Sequence, residues 1–199
     1  MERTTINGHE YVDLGLPSGL KWATCNVGAS SAEDYGDYFA WGETSPKAEY
    51  EMFNYQHWND LNGDGLWGYG ESTINSDISG NAQYDAATAN WGSSWRMPTK
   101  DECHELVEYC EWEWVQVNGV NGARVMGPNG NSIFIPAAGY RSAHSLYDVG
   151  EYGFYWSSTP DDNILIYYHY AYDLMFNDYS EGEYHDFRFC AKPVRPVSE

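Results

Sequence analysis

The sequence predicts an α+β domain, because one well-marked helix lies among many short strand-like segments. Thr99 and Glu102 have the spacing of a capping box, and they directly follow Pro98. The next apolar residues repeat at i, i+3, i+4 and i+7, the stripe of a helix packed on a sheet: Cys103, Leu106, Val107 and Cys110. We therefore expect one helix docked on a sheet, with the rest of the domain built from short strands.

Short strands account for most of the remaining pattern. Strand-forming residues bounded by turn residues occur at 11–14, 20–26, 123–126, 132–136, 154–157, 167–176 and 187–197. The turn from Gly127 to Gly130 predicts a hairpin between the segments that flank it. A second, short helix is predicted within 31–41, with Ser31 as its N-cap. Residues 43–94 are polar and weakly periodic, so we expect long loops there.

Composition excludes several classes of function. The chain has 199 residues, enough for one domain with a sizeable core. Ten Lys and Arg stand against thirty Asp and Glu, a net charge of −20, which argues against a nucleic-acid partner and against an anionic membrane surface. The longest apolar stretch, 133–140, is too short to span a bilayer, and the first residues lack the basic start and apolar run of a signal peptide. We expect no nucleic acid and no membrane insertion.

Aromatic residues are unusually frequent and concentrate late in the chain. They make up 17% of the sequence, with 18 Tyr and 9 Trp. Within 161–189, Tyr172, Leu174 and Phe176 alternate as one buried strand face. Residues 164–170 do not alternate, however, and 177–186 are too acidic to bury. Large aromatics mixed with short polar residues resemble an antibody binding surface in composition, so we favour a binding surface over plain core.

Residues 60–71 fit the calcium-loop pattern D-x-N-x-D-G-x5-E. The predicted metal ligands are Asp60, Asn62, Asp64, the backbone carbonyl of Leu66, and Glu71. The flanks show no helix pair, and the bulky Trp67 occupies position 8 of the loop. A surface loop rich in Asn, Asp and Gly also produces part of this pattern by chance. A bound structural Ca²⁺ and an ion-free loop therefore both remain open.

No arrangement in the sequence nominates a catalytic site. The six histidines form no pair at metal-ligand spacing, and no G-x-S-x-G, Walker A or G-x-G-x-x-G motif occurs. Cys103 and Cys110 are predicted to be core thiols, and whether Cys25 and Cys190 meet is left open. We expect a protein that is not an enzyme.

Four phrases give the chain a family resemblance. These are YVDLGLPSGLKWATCNVG at 11–28, NWGSSWRMPT at 90–99, YWSST at 155–159 and PVRPV at 193–197. Together they resemble bacterial and phage proteins of the C-type-lectin-like fold, in the major paralogous domain family. The resemblance implies a small mixed antiparallel sheet with one or two helices and long loops. The WRMPT phrase before a helix is also similar to formylglycine-generating sulfatase-modifying enzymes.

Within this group, the chain resembles the variable proteins of diversity-generating retroelements. That resemblance implies a single domain, 1–199, with a scaffold over 1–160, a variable ligand-binding region over 161–190 and a closing strand over 191–199. Residues 190–193 depart from the Gly-x-Ser that often precedes Val-Arg in the family, so Cys190 is itself a candidate diversified position. One sequence does not prove diversification.

The implied role is a receptor-binding or adhesin-like protein on a phage particle or a bacterial cell surface. Its ligand would be a protein or glycan on a cell surface. The implied ligand-binding residues are the irregular ones: Ile164, Ile166, Tyr167, Tyr168, His169, Tyr170, Asp173, Asn177, Tyr179, Tyr184, His185, Phe187 and Phe189. One alternative is a calcium-dependent, sugar-binding lectin-like domain that uses the 60–71 loop. Another is an oxidase of the formylglycine-generating type, which needs a pair of reactive cysteines late in the chain, where this sequence has Cys190.

Overall fold

The computed structural model describes residues 4–60, 70–161 and 169–199. Among these, strands account for 40% and helices for 11%, so the domain is mostly β and the predicted α+β class is wrong. Two short α-helices occur in the described residues, α1 (Ala86–Trp91) and α2 (Lys100–Tyr109). The strands form several small antiparallel sheets, and only α2 is long enough to cover one of them.

Strands occur from the beginning of the described residues to their end. In chain order the strands are β1 (Thr5–Ile6), β2 (His9–Asp13), β3 (Lys21–Ala23), β4 (Phe39–Ala40), β5 (Trp58–Asp60), β6 (Gly70–Ser72), β7 (Glu111–Val117), β8 (Val120–Met126), β9 (Ser132–Pro136), β10 (Tyr140–Ser142), β11 (Ser145–Tyr147), β12 (Gly153–Pro160), β13 (Tyr170–Phe176), β14 (Glu181–Phe187), β15 (Ala191–Lys192) and β16 (Val197–Ser198). A 3-10 turn lies at Met52–Asn54.

The strands of the described residues pair into five small sheets. Their strand orders are β1-β2-β3-β16, β11-β10-β15-β4, β12-β13-β14, β5-β6 and β7-β8-β9. Val197 pairs with Trp22, so the last strand closes the sheet formed by the first ones. Lys192 pairs with Phe39 in the same antiparallel way. Strands β15 and β16 are thereby buried beside early strands of the chain. We call these two four-stranded sheets the frame, and the β12-β13-β14 sheet contacts it through β15.

Helix α2 forms as the sequence predicts. The Thr99 hydroxyl accepts a hydrogen bond from the Glu102 amide, and the Glu102 carboxylate accepts one from the Thr99 amide. Arg96 adds an ion pair to Glu102 at 2.7 Å. Cys103 and Leu106 are buried against the β12-β13-β14 sheet. The capping box and the apolar stripe together explain why this segment is the longest helix of the described residues.

Two other local predictions fail for identifiable reasons. The predicted helix within 31–41 is a turn, in which the Asp34 carboxylate accepts hydrogen bonds from the Ser30 and Ser31 amides. A helix forms instead at α1, where the buried Asp85 side chain accepts from the Thr88 amide as N-cap. The predicted strand 187–197 is broken into β15 and β16. Pro193 and Pro196 have no amide hydrogen to donate to a sheet ladder, so they interrupt it.

Aromatic rings lie both in the core and at the surface, and tyrosines occur in both places. Trp41, Trp95 and Trp156 are fully buried, and their indole nitrogens donate to backbone carbonyls at 2.9–3.0 Å. Tyr179 and Tyr184 are exposed by 77% and 51%. The high aromatic content therefore serves the core and also supplies surface rings.

Candidate functional site

The candidate site is built on the hairpin of β13 and β14. The two strands pair in unbroken register, from Tyr170 opposite Phe187 to Phe176 opposite Glu181. Residues directly opposite one another point to the same face of a sheet. One face therefore carries Tyr170, Phe187 and their alternating neighbours, and the other carries Asp173 with Tyr184.

Four rings lie side by side on the first face, and we call them the aromatic ladder: Tyr170, Tyr172, His185 and Phe187. Tyr170 stacks on Phe187 with ring centroids 4.5 Å apart and an interplanar angle of 30°. The Tyr170 ring lies 5.2 Å from the His185 ring, which in turn lies 6.2 Å from the Tyr172 ring. His185 is exposed, whereas the other three are half-buried. The rings of the ladder are therefore partly exposed to solvent and also pack against each other.

Polar contacts fix the end of the ladder beside helix α2. His185 Nδ1 lies 2.6 Å from Asp161 Oδ2, and the Asp161 side chain is 6% exposed. The Tyr172 hydroxyl donates to the other oxygen of Asp161 at 3.3 Å. The Lys100 ammonium sits 3.9 Å from the centre of the Tyr172 ring. Because these groups are mutually satisfied, the ladder rings have little rotameric freedom left to lose on binding.

His169 lies at the start of β13, beyond the ladder. Its ring is 4.1 Å from the Trp58 ring, and its backbone carbonyl accepts from the Arg188 amide at 2.7 Å. Burial, together with the Arg188 cation, lowers the pKa of His169 to about 4. This imidazole is therefore neutral at physiological pH and behaves as an aromatic, polar contact group.

The turn of the hairpin is held by Asn177. Its side-chain oxygen accepts from the amides of Tyr179 and Ser180, each at 2.9 Å, and from the Ser180 hydroxyl at 3.2 Å. The Tyr179 hydroxyl lies 3.2 Å from the Tyr152 hydroxyl. Asn177 thus acts as the turn residue that positions Tyr179, the most exposed tyrosine of the hairpin.

The second face of the hairpin is sealed over most of its length. Asp173 is 2% exposed and forms a buried ion pair with Lys192. The Lys192 ammonium also lies 3.0 Å from Asp186 and 4.2 Å from the centre of the Trp156 ring. Tyr184 lies opposite Asp173 in the register and remains half exposed. This face anchors the hairpin to the frame.

The thirteen candidate ligand-binding residues fall into three groups. Ile164, Ile166, Tyr167 and Tyr168 lie outside the described residues. The side chains that reach the surface at least in part are His169, Tyr170, Tyr179, Tyr184, His185 and Phe187. Asp173, Asn177 and Phe189 are at most 9% exposed, so they do not belong to the exposed surface. The sequence suggests that Asp173 and Asn177 are exposed, because both are polar. In the structure Asp173 pairs with the buried Lys192, and Asn177 accepts the hydrogen bonds that stabilise the hairpin turn.

Sequence reasoning missed three residues that border the hairpin: Trp58, Tyr152 and Lys100. They come from three distant segments and meet His169, Tyr179 and Tyr172 only through the tertiary fold. The alternation of residues 172–176 predicts a buried Tyr172, but its side chain is half-buried and belongs to the ladder. Its position on the same face as Tyr170, two residues earlier, was the signal available in the sequence.

The predicted calcium ligands mostly lie outside the described residues. This applies to Asn62, Asp64 and Leu66, whereas Asp60 and Glu71 fall in β5 and β6. Asp60 pairs with Gly70 and Asn59 with Glu71, so the two ends of the loop are brought together. Among the described residues, no three His, Cys, Asp or Glu side chains group as metal ligands.

No family model matches the chain, and neither a curated protein nor a solved structure matches it. Over the described part of the chain, no helix has both the length and the apolar character needed to cross a membrane.

Proposed function

We propose that this protein binds a protein or glycan ligand on a cell surface through the rings of the β13–β14 hairpin, and that it is not an enzyme. The observation that carries the proposal is the exposure of Tyr179 at the hairpin turn and of Tyr184 on the face opposite the aromatic ladder, on a hairpin that the Lys192–Asp173 pair fixes in place. The hairpin thus carries exposed rings at its turn and on both faces, and groups of exposed apolar side chains mark interaction sites more often than single ones do.

Rigid rings make an economical binding surface. Tyrosine contributes large contact area and a hydroxyl while it loses few rotamers, and stacked neighbours lower that loss further. Tyr170 and Phe187 are already stacked, and Tyr179 is already fixed by the Asn177 turn. Ordering these rings when the ligand binds therefore costs less free energy than ordering a flexible loop would cost.

Charge narrows the class of partner. Glu181, Glu183 and Asp186 line β14, and the chain carries a net charge of −20. An acidic rim speeds the approach of a basic partner and repels an acidic one. A basic or neutral surface protein or an uncharged glycan suits this rim, whereas a nucleic acid does not.

The proposal includes the resemblance to the variable proteins of diversity-generating retroelements. On that view, 1–160 is the scaffold, 161–190 is the variable region, and the protein acts on a phage particle or a bacterial surface. The side chains of Tyr179 and Tyr184 are exposed, so we expect these two positions to tolerate many residue types. Asp173 and Asn177 lie inside the same region but hold the frame, so we expect them to stay constant.

Thiol burial supports a non-enzymatic role over the formylglycine-generating alternative. That chemistry needs a reactive, exposed pair of cysteines, and reactive thiols are found in electropositive settings. Cys190 is 5% exposed, and burial raises its pKa to about 12. Burial also raises the pKa of Cys103 well above its usual value. Neither thiol is poised for nucleophilic attack.

A structural Ca²⁺ in the 60–71 loop is a separate part of the proposal. The pairing of β5 with β6 supports it, because it brings the two ends of the loop side by side. A ligand that binds only the folded state raises the melting temperature, so millimolar Ca²⁺ should raise it in the wild type. The Asp60→Asn, Glu71→Gln double variant should show no rise, and Mg²⁺ is the matched control ion. Equal effects of Ca²⁺ and Mg²⁺ would contradict a specific calcium site.

The binding test uses labelled protein on an array of bacterial glycans and on intact bacterial cells. We expect saturable binding in the wild type and at least tenfold weaker binding in Tyr179→Ala, Tyr184→Ala. The matched control, Phe53→Ala, Tyr109→Ala, removes two exposed rings elsewhere and should bind normally. Equal loss in both double variants would contradict the hairpin surface. Loss of wild-type binding in EDTA would favour the calcium-dependent lectin alternative.

A second test addresses diversification directly. Sequencing the DNA that flanks the gene should reveal a reverse transcriptase and a repeat of the region encoding 161–190. Differences between repeat and gene should fall at adenines, in codons of exposed residues. A flank without such a repeat would contradict this part of the proposal and leave the binding test unaffected.

A further inference from the structure

A concavity beside the hairpin turn has walls of aromatic rings. We call it the turn pocket, and it is defined by Trp114, Glu151, Tyr152, Asp178 and Tyr179. Its volume is about 340 Å³, at the lower end of the range of small-ligand sites. It joins three segments that are distant in sequence: β7, the turn before β12, and the turn between β13 and β14.

Contacts with neighbouring residues hold the rings of the turn pocket in place. Tyr152 stacks on Phe154 with ring centroids 5.6 Å apart and an interplanar angle of 11°, and its hydroxyl meets that of Tyr179 at 3.2 Å. Trp114 packs edge-on against the buried Phe176 ring, 6.4 Å between centroids. The pocket therefore exists before a ligand arrives and does not have to be assembled.

Backbone contacts fix the turn that carries Glu151. The Gly150 amide donates to the Ala137 carbonyl at 2.8 Å, and the Gly150 carbonyl accepts from the Asn121 side chain at 3.0 Å. The Tyr152 amide donates to the Asp148 carbonyl at 2.9 Å. Glu151 is thus exposed on a rigid turn, directly before Tyr152.

The charge in the turn pocket is entirely negative. Glu151 and Asp178 are both exposed, and neither forms an ion pair with a described residue. Of the described residues that line the pocket, none is Lys, Arg or His. Elsewhere on the protein, cations lie over rings, as Lys100 does over Tyr172 at 3.9 Å. The turn pocket offers the same kind of ring face with carboxylates and with no cation of its own.

We infer that the turn pocket binds the ammonium group of a lysine side chain from a protein partner. Aromatic faces attract cations, and the two carboxylates add long-range attraction. The apolar stem of a lysine would lie along the Tyr152 and Tyr179 rings while its ammonium reaches Glu151 and Asp178. The inference rests on the proposed function, because it names the chemical group that the hairpin recognises in its ligand. Tyr179 belongs both to the proposed ligand-binding surface and to the turn pocket.

The probe for this inference is a single amino-acid derivative, Nα-acetyl-lysine N-methylamide. Its uncharged counterpart is the norleucine derivative, which has nearly the same stem without the ammonium. Binding is followed by NMR at the indole N–H of Trp114, assigned through Trp114→Phe. We expect saturable binding of the lysine probe, with a dissociation constant on the order of 10 mM or below, and at least fivefold weaker binding of the norleucine probe.

Variants locate the binding. Tyr179→Ala and the Glu151→Gln, Asp178→Asn double variant should each weaken the lysine probe at least fivefold. Phe53→Ala is the matched control, since it removes an exposed ring outside both the hairpin and the pocket, and it should bind normally. Raising the salt concentration should weaken binding of the lysine probe but not of the norleucine probe.

Three outcomes would overturn the inference. Equal binding of the norleucine probe would make the pocket a plain apolar site. Absence of saturable binding of the lysine probe would show that the pocket does not recognise an ammonium group. Choline binding at least tenfold tighter than the lysine probe would assign the pocket to a quaternary ammonium and not to lysine. The proposed function survives each of these if Tyr184→Ala still lowers binding to the glycan array or to cells.

Discussion

Lys192 and Asp173 form an ion pair in which neither side chain is more than 1% exposed. The pair joins β15 to β13, and so connects the frame to the strand that carries the candidate surface. Burial lowers the pKa of Lys192, but the Asp173 and Asp186 carboxylates outweigh this effect and raise it above its ordinary value. The lysine is therefore charged in the folded state, and its charge is neutralised by two acids and two ring faces.

Removing the cation should strongly destabilise the protein. Lys192→Met leaves Asp173 buried without its partner, and such losses cost about 3–5 kcal/mol in free energy of unfolding. The Lys192→Met, Asp173→Leu double variant replaces both charges by apolar groups and should recover most of that loss. Urea denaturation of the three proteins measures this. A single variant as stable as the wild type would contradict the role of the pair.

Exposed and buried tyrosines should differ sharply in their effect on stability. Tyr179→Ala and Tyr184→Ala should each change the free energy of unfolding by less than about 0.5 kcal/mol, since surface substitutions rarely do more. Tyr155 is 2% exposed and its hydroxyl donates to the Pro136 carbonyl at 2.7 Å. Tyr155→Ala should cost about 3–5 kcal/mol, as for other large aromatic deletions. Equal costs at all three positions would place the two surface rings in the core.

Stability should fall as the pH falls below neutrality, in part because of His169. Its pKa is about 4 in the folded protein, below the ordinary histidine value of 6.5, so the unfolded chain binds the proton first. The free energy of unfolding therefore decreases between about pH 6.5 and pH 4. Burial also lowers the pKa of His9 and His57, which act in the same direction.

The variant His169→Gln isolates this contribution. It carries the same carboxylates as the wild type, so the difference between the two pH profiles reports on the imidazole. We expect the variant to lose less stability than the wild type between pH 6.5 and pH 4, measured by denaturation at fixed ionic strength. Parallel profiles would show that His169 is not buried as described.

Thiol labelling should separate the four cysteines into two classes. Cys103 and Cys190 are buried, whereas Cys25 and Cys110 are half-buried, and all four are free. At pH 8 an aromatic disulfide reagent should label at most two thiols in the native protein and four in denaturant. Burial raises the pKa of Cys110 to about 11, so Cys25 should react faster. Cys25→Ser should remove the faster phase. Rapid labelling of Cys190 would reopen the oxidase alternative.

Local patterns predicted the elements whose cause is local. The α2 capping box involves Thr99 and Glu102, three residues apart, and the β8–β9 hairpin depends on the turn at 127–130. Helix α1 escaped prediction because its N-cap, Asp85, is buried and its six residues are too few for a periodic stripe. The fold class was wrong for a related reason: strands of two or three residues, such as β15, leave little periodicity to read.

The candidate surface was predicted in part. The irregular, tyrosine-rich composition pointed to the segment that forms the hairpin, and Tyr179, Tyr184 and His185 are exposed there. Composition does not reveal which polar residue has a buried partner. Asp173 and Tyr184 look equally fit for a surface in the sequence, yet one meets Lys192 in the interior and the other meets solvent.

The sequence by itself determined the capped helix, the central hairpin, the acidic charge and the concentration of rings near the end of the chain, because each of these depends on neighbouring residues or on totals. Only the tertiary structure decided that Asp173 is an anchor, that Tyr152 and Trp114 line one pocket with Tyr179, and that β16 pairs with β3. These relationships join residues far apart in the chain, and their partners are selected by packing and by the cost of burying unpaired charge.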